Sequence, residues 1–233
     1  MSELRERVAA VYAATDRPSW PNPHPDGRDA SEEEYSRVTD PDRYRVVLDR
    51  ARVWLDVLVD ELGAVVAPAS GSGPPSGMPT TDSPDPLFSR RVLVSVPGVA
   101  PLSLVSASGS PPSLVLAAGD GSWTLDQVPD CGCDACDFGS ETLLEAVDDA
   151  ISDFVEGPVV LFRGLRWTSR WSPRVNEAGG TPGHPDFDLL MGWSRQLSEG
   201  AQVDLPSGTE VLVSRSWLPA VSTDSGISLW AVG

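Results

Sequence analysis

The sequence predicts an α+β protein in which N-terminal helices pack on a mainly antiparallel sheet and a cysteine-rich loop leads into a further helix. Three patterns predict this class. Apolar residues recur at helical spacing before residue 63. Over 90–118, apolar residues recur at every second position in runs that Pro/Gly/Ser turns separate. A helical pattern returns after residue 140. A chain of 233 residues is also long enough to bury a core.

Two helices are predicted near the N-terminus. Ser2 is a suitable N-cap for an amphipathic helix over 3–14, and Asp40 is a suitable N-cap for a long helix that Gly63 ends. Between the helices, a proline-rich stretch predicts an extended loop that Trp20 attaches to the body. The long helix has one apolar face, which is typical of packing on a core: Tyr44, Val47, Leu48, Ala51, Trp54, Leu55, Leu58 and Leu62.

The residues after the long helix predict strands, a flexible loop and short helices. We expect one α+β domain over 1–233 with a flexible Pro/Gly/Ser loop at 69–86, and the alternative is a helical unit over 1–68 followed by an α+β unit over 87–233. A glycine-rich loop precedes a short helix over 189–197. Strands are expected at 64–67, 90–96, 102–106, 114–118, 123–125, 158–162, 210–217 and 227–232.

The charge of the chain argues against polyanionic partners. It has 17 arginines, no lysine and 34 acidic residues, giving a net charge of −17. We therefore expect neither nucleic acid nor a membrane as a partner, while an unknown protein partner stays open. No apolar run approaches the length of a membrane span, and charged residues stand where a signal peptide needs apolar ones, so a cytoplasmic location is expected.

Charges of opposite sign are concentrated in two neighbouring stretches. Ten acidic and no basic residues lie between Asp126 and Glu156, which predicts a solvated helix face, although arginines or a cation are alternatives. Arginines alternate with Trp167 and Trp171 in the most basic stretch, 163–174. These side chains are suited to stack on single-stranded bases or to face the acidic helix, and the net charge favours the second interpretation.

The most distinctive stretch reads DCGCDACD and covers Asp130 to Asp137. It holds all three cysteines of the chain, and the spacing of Cys131, Cys133 and Cys136 allows three sulfurs to converge on one ion in a tight loop. Thiolates select soft metals, so zinc is the expected ion. A structural loop with inert thiols and a reactive thiol at the Cys133-to-Cys136 pair are the alternatives.

A tetrahedral zinc ion needs a fourth ligand besides the three cysteines. Asp137 and His184 are the predicted candidates, Asp130 is a further carboxylate in the same stretch, and His24 is the other histidine of the chain. A histidine in a proline-rich loop is more often a surface residue than a ligand. The fourth ligand is therefore open at this point.

Two stretches resemble an uncharacterised bacterial family of unknown function. They are YSRVTDPDRY, at residues 35–44, and VPDCGCDACDFGSETLLEAVDDAI, at residues 128–151. The resemblance covers the chain from about residue 35 onward, with CGCDACD as its most distinctive element. It implies no activity, only that the three cysteines belong to a family motif.

The sequence supports two functions from different classes. The first is a non-enzymatic interaction or regulatory protein whose cysteine loop holds a structural zinc ion. The second is a metal- or thiol-dependent enzyme that uses the same loop. The chain contains no phosphate-binding glycine loop, HExxH or GxSxG signature that would favour another chemistry.

Overall fold

The computed structural model describes residues 2–25, 29–68, 91–107, 110–181 and 184–219. Its helices and two antiparallel sheets confirm the α+β class. The helices are α1 (Glu3–Ala13), α2 (Val46–Leu62), α3 (Ser140–Glu156) and α4 (Phe187–Ser198). The strands are β1 (Val65–Pro68), β2 (Val92–Ser95), β3 (Leu102–Ala107), β4 (Ser113–Ala118), β5 (Trp123–Val128), β6 (Val159–Arg163), β7 (Trp167–Trp171), β8 (Asn176–Gly180) and β9 (Glu210–Ser214).

Two sequence predictions lie outside the described residues, namely the flexible loop at 69–86 and the strand at 227–232. The division of the chain into domains stays a prediction. Core residues on both sides of the segment 69–90 nevertheless belong to one cluster, in which Trp54 of α2 and Leu116 of β4 are both fully buried.

Helix α2 ends where the sequence predicts but begins later. Residues Pro41–Arg45 form a 3-10 turn, and the α-helix starts at Val46. Asp40 is the N-cap residue of this 3-10 turn, as predicted, but it has φ 47° and ψ 66° and makes no capping hydrogen bond through its side chain. At the other end, Gly63 has φ 62°, and its amide donates to a carbonyl of the last turn at 3.0 Å. Only a residue without Cβ adopts this left-handed conformation easily, which explains the stop.

The first sheet is an antiparallel meander with the strand order β1-β2-β3-β4-β5. Its register pairs Leu104 with Val92 on one side and with Leu116 on the other. Because these three side chains point to the same face, the period-two pattern of the sequence becomes one apolar surface. Helices α1, α2 and α3 supply the other half of this core, through residues such as Val8, Trp54 and Ile151.

The second sheet has the order β8-β7-β6-β9, and its central strand β6 is buried on both faces. Val159 and Leu161 join the main core, while Val160 and Phe162 pack against α4 in a smaller cluster. The sequence analysis missed β7 and β8, which it interpreted as a basic stretch and a glycine-rich loop. Strand β8 is exposed along its whole length. It is therefore stabilised by backbone pairing with β7 and not by burial of its side chains.

Two arginines of the second sheet reach the edge of the first. Arg170 Nη1 donates to the carbonyl of Leu125 at 3.0 Å, and Arg163 Nη2 donates to the carbonyl of Ser122. The Arg163 guanidinium also lies 4.2 Å from the ring centroid of Trp123, in cation–π contact. A groove of about 650 Å³ lies between β5 and the inner face of β6, β7 and β8.

Candidate metal centre

The cysteine stretch connects β5 to α3, as predicted. Cys133 is buried, Cys136 is partly buried and Cys131 is exposed. Residues Asp134–Cys136 make one 3-10 turn, in which the Cys136 amide donates to the Cys133 carbonyl at 3.0 Å. A Cβ at Gly132 would lie 2.0 Å from Cγ of Pro111, so only glycine fits against the Pro111 ring. The turn brings the three side chains to one side of the loop.

The three sulfurs form one group, because their Sγ atoms all lie within 4.8 Å of one another. The Cys131 and Cys133 sulfurs are 3.3 Å apart. Thiolates bound to one tetrahedral zinc ion at 2.3 Å would be separated by about 3.8 Å. The loop therefore needs only sub-ångström shifts at this pair to bind a zinc ion, and the three predicted sulfur ligands are indeed brought together.

The thiol environments differ within the group. A hydrogen bond from the Cys133 backbone, followed by bonds from the Cys133 and Cys136 side chains, lowers the pKa of Cys131. The side-chain bond with Cys133 and then burial raise the pKa of Cys136 to about 12. A metal ion that binds all three sulfurs would release their thiol protons, so its affinity would fall with falling pH.

Asp134 anchors the cysteine loop to the segment before α2. Its carboxylate accepts hydrogen bonds from Arg37 Nε at 2.5 Å and from the amide and hydroxyl of Thr39 at 2.6 and 2.7 Å. Its own amide donates to the Arg37 carbonyl at 2.8 Å. Burial alone would raise the pKa of Asp134, but the bonds from Arg37 and Thr39 outweigh it and lower the value to about 2.

Asp137 makes a second anchor and is almost completely buried, with 2% of its surface exposed. Its carboxylate accepts hydrogen bonds from the Trp20 indole at 3.0 Å and from the Gly139 amide at 2.8 Å, and it forms an ion pair with Arg43. The Arg43 guanidinium in turn lies 4.8 Å from the Trp20 ring centroid. This confirms that Trp20 attaches its loop to the body.

The two stretches that carry the family resemblance are therefore bound to each other. Arg37, Thr39 and Arg43 belong to YSRVTDPDRY, and Asp134 and Asp137 belong to the cysteine stretch. The sequence analysis did not identify these three partners. The available signal was that an acidic loop and an arginine-containing segment occurred together in one resemblance.

The remaining fourth-ligand candidates lie outside the sulfur group. His184 is exposed, and its Nδ1 lies 2.7 Å from the Pro185 carbonyl. His24 is buried, with Nε2 3.2 Å from the Asp134 carbonyl. In the described ranges, the group of ligand atoms within 4.8 Å of one another contains cysteines only, without Asp137, Asp130 or either histidine. A fourth ligand at Asp137 or His184 stays a prediction.

The acidic side of α3 is solvated only in part: three of its acidic residues are exposed as predicted, and others are not. Asp148 and Asp153 are buried, with 7% and 4% of their surfaces exposed. Asp153 accepts hydrogen bonds from Arg170 at 2.8 Å and Ser172 at 2.5 Å. Arg174 forms an ion pair with Glu156, the last residue of α3, at 2.5 Å. Two arginines of the basic stretch thus pair with acidic residues of α3, as the second interpretation of that stretch expected.

No helix within the described ranges has both the length and the apolar character that a membrane crossing requires.

Comparison with known proteins gives a family but no activity. No curated protein and no solved structure matches the chain. A family model described as a family of unknown function (DUF6226) matches residues 8–219. This match confirms the predicted membership of an uncharacterised family. That the CGCDACD stretch is a motif of this family stays a prediction. The chain therefore belongs to this family of unknown function.

Proposed function

We propose that the chain is a non-enzymatic interaction or regulatory protein that binds one structural zinc ion through Cys131, Cys133 and Cys136. The observation that carries the proposal is the convergence of the three sulfurs within 4.8 Å on a loop between a sheet and a helix. Sulfur ligands and a small site favour zinc over the hard cations that prefer oxygen.

The surroundings of the loop support a structural role for the ion. Asp134 and Asp137 hold the loop to the segments around Thr39 and Trp20, so the sulfurs lie where three parts of the chain meet. An ion at this point would stabilise the junction because it binds the folded arrangement and has no preformed site in the unfolded chain.

The proposal extends to the setting of the protein. We place it in the cytoplasm, where a reducing environment keeps three thiols available for metal, and we expect a protein partner rather than nucleic acid or a membrane. A net charge of −17 supports the second expectation, since it opposes association with polyanions.

Elemental analysis of the freshly purified full chain tests the zinc site. We expect about one zinc per chain, in line with one group of three sulfur ligands. Cys131→Ser should lower the zinc content and the melting temperature together. As the control, both proteins are measured after EDTA treatment, where their melting temperatures should coincide because neither then contains metal. Purified protein without metal, combined with unchanged stability of the variant, would end the proposal.

The second candidate is a metal- or thiol-dependent enzyme, and the exposure of Cys131 favours it. A reactive thiol must be accessible, and of the three sulfurs this one is the most exposed. Iodoacetamide labelling of the metal-free protein at neutral pH, followed by peptide mass spectrometry, separates the two candidates. Labelling of Cys131 much faster than that of a free cysteine supports the enzyme, and labelling no faster removes the thiol version.

A further inference from the structure

The cysteine group combines an accessible sulfur with a close buried partner. Cys131 is exposed and Cys133 is buried, and their Sγ atoms are 3.3 Å apart. A disulfide bond is about 2.0 Å long, so an approach of about 1.3 Å would join the two sulfurs. The chain has three cysteines in all, so every disulfide within one molecule must form in this group. A small movement of the loop is therefore enough to connect the surface sulfur to the buried one.

The zinc ion proposed above would keep these sulfurs in their oxidisable form. A metal ion holds its cysteine ligands as thiolates, and the thiolate is the form that peroxides oxidise. Of the three sulfurs Cys131 is the most exposed, whereas burial shields Cys133 from a reagent in solution. A peroxide would therefore meet Cys131 first, and Cys133 lies where it would react with the product.

We propose, on the basis of the zinc site proposed above, that the loop is a site of reversible oxidation, where hydrogen peroxide joins Cys131 to Cys133 and the ion is released. The Cys131 thiolate attacks one peroxide oxygen, the O–O bond breaks, and the departing hydroxide takes a proton from solvent. The Cys133 thiolate then attacks the sulfenic acid on Cys131. The S–S bond forms, the S–O bond breaks, and a second hydroxide is protonated. The two cysteines lose one electron each, and one peroxide is reduced to two waters.

The disulfide would remove two of the three sulfur ligands. The thiolate is the form of cysteine that binds metal, and a disulfide contains none. Cys136 would remain, and Cys136 together with any fourth ligand leaves the ion two donors short of a tetrahedral site. Formation of the disulfide therefore releases the zinc, so the zinc content of the protein responds to peroxide.

The anchors of the loop do not depend on its sulfurs. Asp134 is held by the amide and hydroxyl of Thr39, and Asp137 is held by the Trp20 indole. Because these bonds use carboxylates, they remain when the ion leaves, and the loop keeps its place. Exposed disulfides are also the ones that thiols reduce most readily, and Cys131 is exposed. A reductant therefore restores the three thiols in a loop that is still in position.

Peroxide treatment of the zinc-loaded full chain tests the release. The chain is reduced, loaded with zinc, freed of excess metal and treated with hydrogen peroxide in small molar excess. A chromogenic chelator follows released zinc, and peptide mass spectrometry after thiol blocking locates the disulfide. We expect zinc release in step with loss of the Cys131 and Cys133 thiols, while Cys136 stays free and a sample without peroxide keeps its zinc. Dithiothreitol with added zinc should restore the zinc content.

The same chain unfolded in urea is the control for geometry. It has the same three cysteines at the same spacing, but the fold no longer places Cys131 beside Cys133. With EDTA in both samples, peroxide should give the Cys131–Cys133 disulfide in the folded chain and a mixture of cysteine pairs in urea. Equal mixtures in the two samples would overturn the assigned pair.

Two variants in EDTA separate the roles of the sulfurs without any contribution from metal. Cys136→Ser should form the same disulfide, because the sulfur that it lacks takes no part in the step. Cys133→Ser should instead accumulate the sulfenic acid on Cys131, which dimedone traps. A Cys131–Cys136 disulfide that forms in Cys133→Ser as fast as the wild-type disulfide would overturn the role of Cys133.

The zinc-loaded chain also gives outcomes that separate this inference from the zinc site. The inference alone is overturned if the chain keeps its ion in peroxide, if Cys136 belongs to the wild-type disulfide, or if the disulfide joins two chains. A chain that binds no zinc overturns the zinc site and the release step with it. Formation of the Cys131–Cys133 disulfide in such a chain would support the oxidation step alone.

Discussion

Arg50 of α2 donates two parallel hydrogen bonds to the carboxylate of Asp148 of α3, from Nε at 2.8 Å and from Nη2 at 2.6 Å. The two side chains are 7% and 9% exposed, so this ion pair is buried between the helices. The Trp54 indole donates a third bond to the same carboxylate at 2.7 Å, and Arg50 Nη1 also reaches the Val8 carbonyl of α1 at 3.3 Å. One pair thus connects all three helices of the main core.

Removing one member of this pair should be costly. Asp148→Ala leaves the Arg50 guanidinium buried without its carboxylate, and we expect the free energy of unfolding to fall by about 3–5 kcal/mol. Asp149→Ala is the matched control, because the neighbouring carboxylate is 62% exposed in its pair with Arg5, and it should cost less than about 1 kcal/mol. Urea denaturation measures both. Equal losses in the two variants would contradict the buried role of Asp148.

The Asp137 anchor should matter independently of metal. Asp137→Ala removes the partner of Arg43 and of the Trp20 indole, so we expect a loss of about 3–5 kcal/mol in urea denaturation with EDTA present. The amide of Ser140, which donates to the Trp20 carbonyl at 3.1 Å, should exchange hydrogen faster in the variant. Asp130→Ala on the exposed start of the loop is the control. Similar stability of the two variants would show that the anchor contributes little.

The pH dependence of stability should identify Asp134. Bonds from Arg37 and Thr39 hold its pKa in the folded state at about 2, below the value of about 3.9 in an unfolded chain. A carboxyl with a lowered pKa stabilises the folded state at higher pH, and this contribution is lost as pH falls from about 4 to 2. The stability difference between wild type and Asp134→Ala should therefore shrink over that interval, as measured by urea denaturation.

Asp126 provides a control of opposite sign. Burial raises the pKa of the Asp126 carboxyl in the folded state. The protonated carboxyl therefore stabilises the fold at low pH, and this contribution is lost as pH rises through the pKa of the folded state. For Asp126→Ala, the wild type should lose stability relative to the variant as pH increases.

A stability difference between wild type and Asp134→Ala that stays constant between pH 4 and 2 would contradict the anchored carboxylate of Asp134.

The same substitution should have opposite effects at two glycines. Gly63 has φ 62°, so Gly63→Ala should destabilise the protein by about 1 kcal/mol even though a Cβ there has no atom within 4 Å. Gly192 lies inside α4, also with open space around a Cβ, and Gly192→Ala should stabilise by about 0.5–1 kcal/mol because alanine favours the helix. Thermal denaturation of both variants checks the signs, and a stabilising Gly63→Ala would contradict the C-cap.

Local patterns were sufficient to predict much of the fold. The helix over 3–14 is found as α1, the period-two runs are found as β2, β3 and β4, and Gly63 ends α2. Each of these depends on residues close together in sequence, whose spacing or conformational freedom determines one element. The close group of three cysteines was predictable for the same reason, since they lie within six residues.

The remaining features depend on contacts between distant residues. Asp148 was predicted to be solvated, and its partner Arg50 is 98 positions away. Arg37 and Arg43 engage Asp134 and Asp137 across more than 90 positions, and the shared resemblance of their two stretches was the only sign of these contacts in the sequence. Strand β8 was missed because two glycines and an acidic residue have low strand propensity, and only pairing with β7 places them in a sheet.

The arginine contacts at β5 have a consequence for self-association. In the described part of the chain, β5 pairs with β4 alone, and an edge of this kind is a template on which another strand can add. Here the guanidinium groups of Arg163 and Arg170 already bind the carbonyls of Ser122 and Leu125. A strand from a second molecule would have to displace both cations, one of them held by buried Asp153. Side chains of the second sheet thus protect the edge strand of the first sheet against pairing with a strand from another molecule.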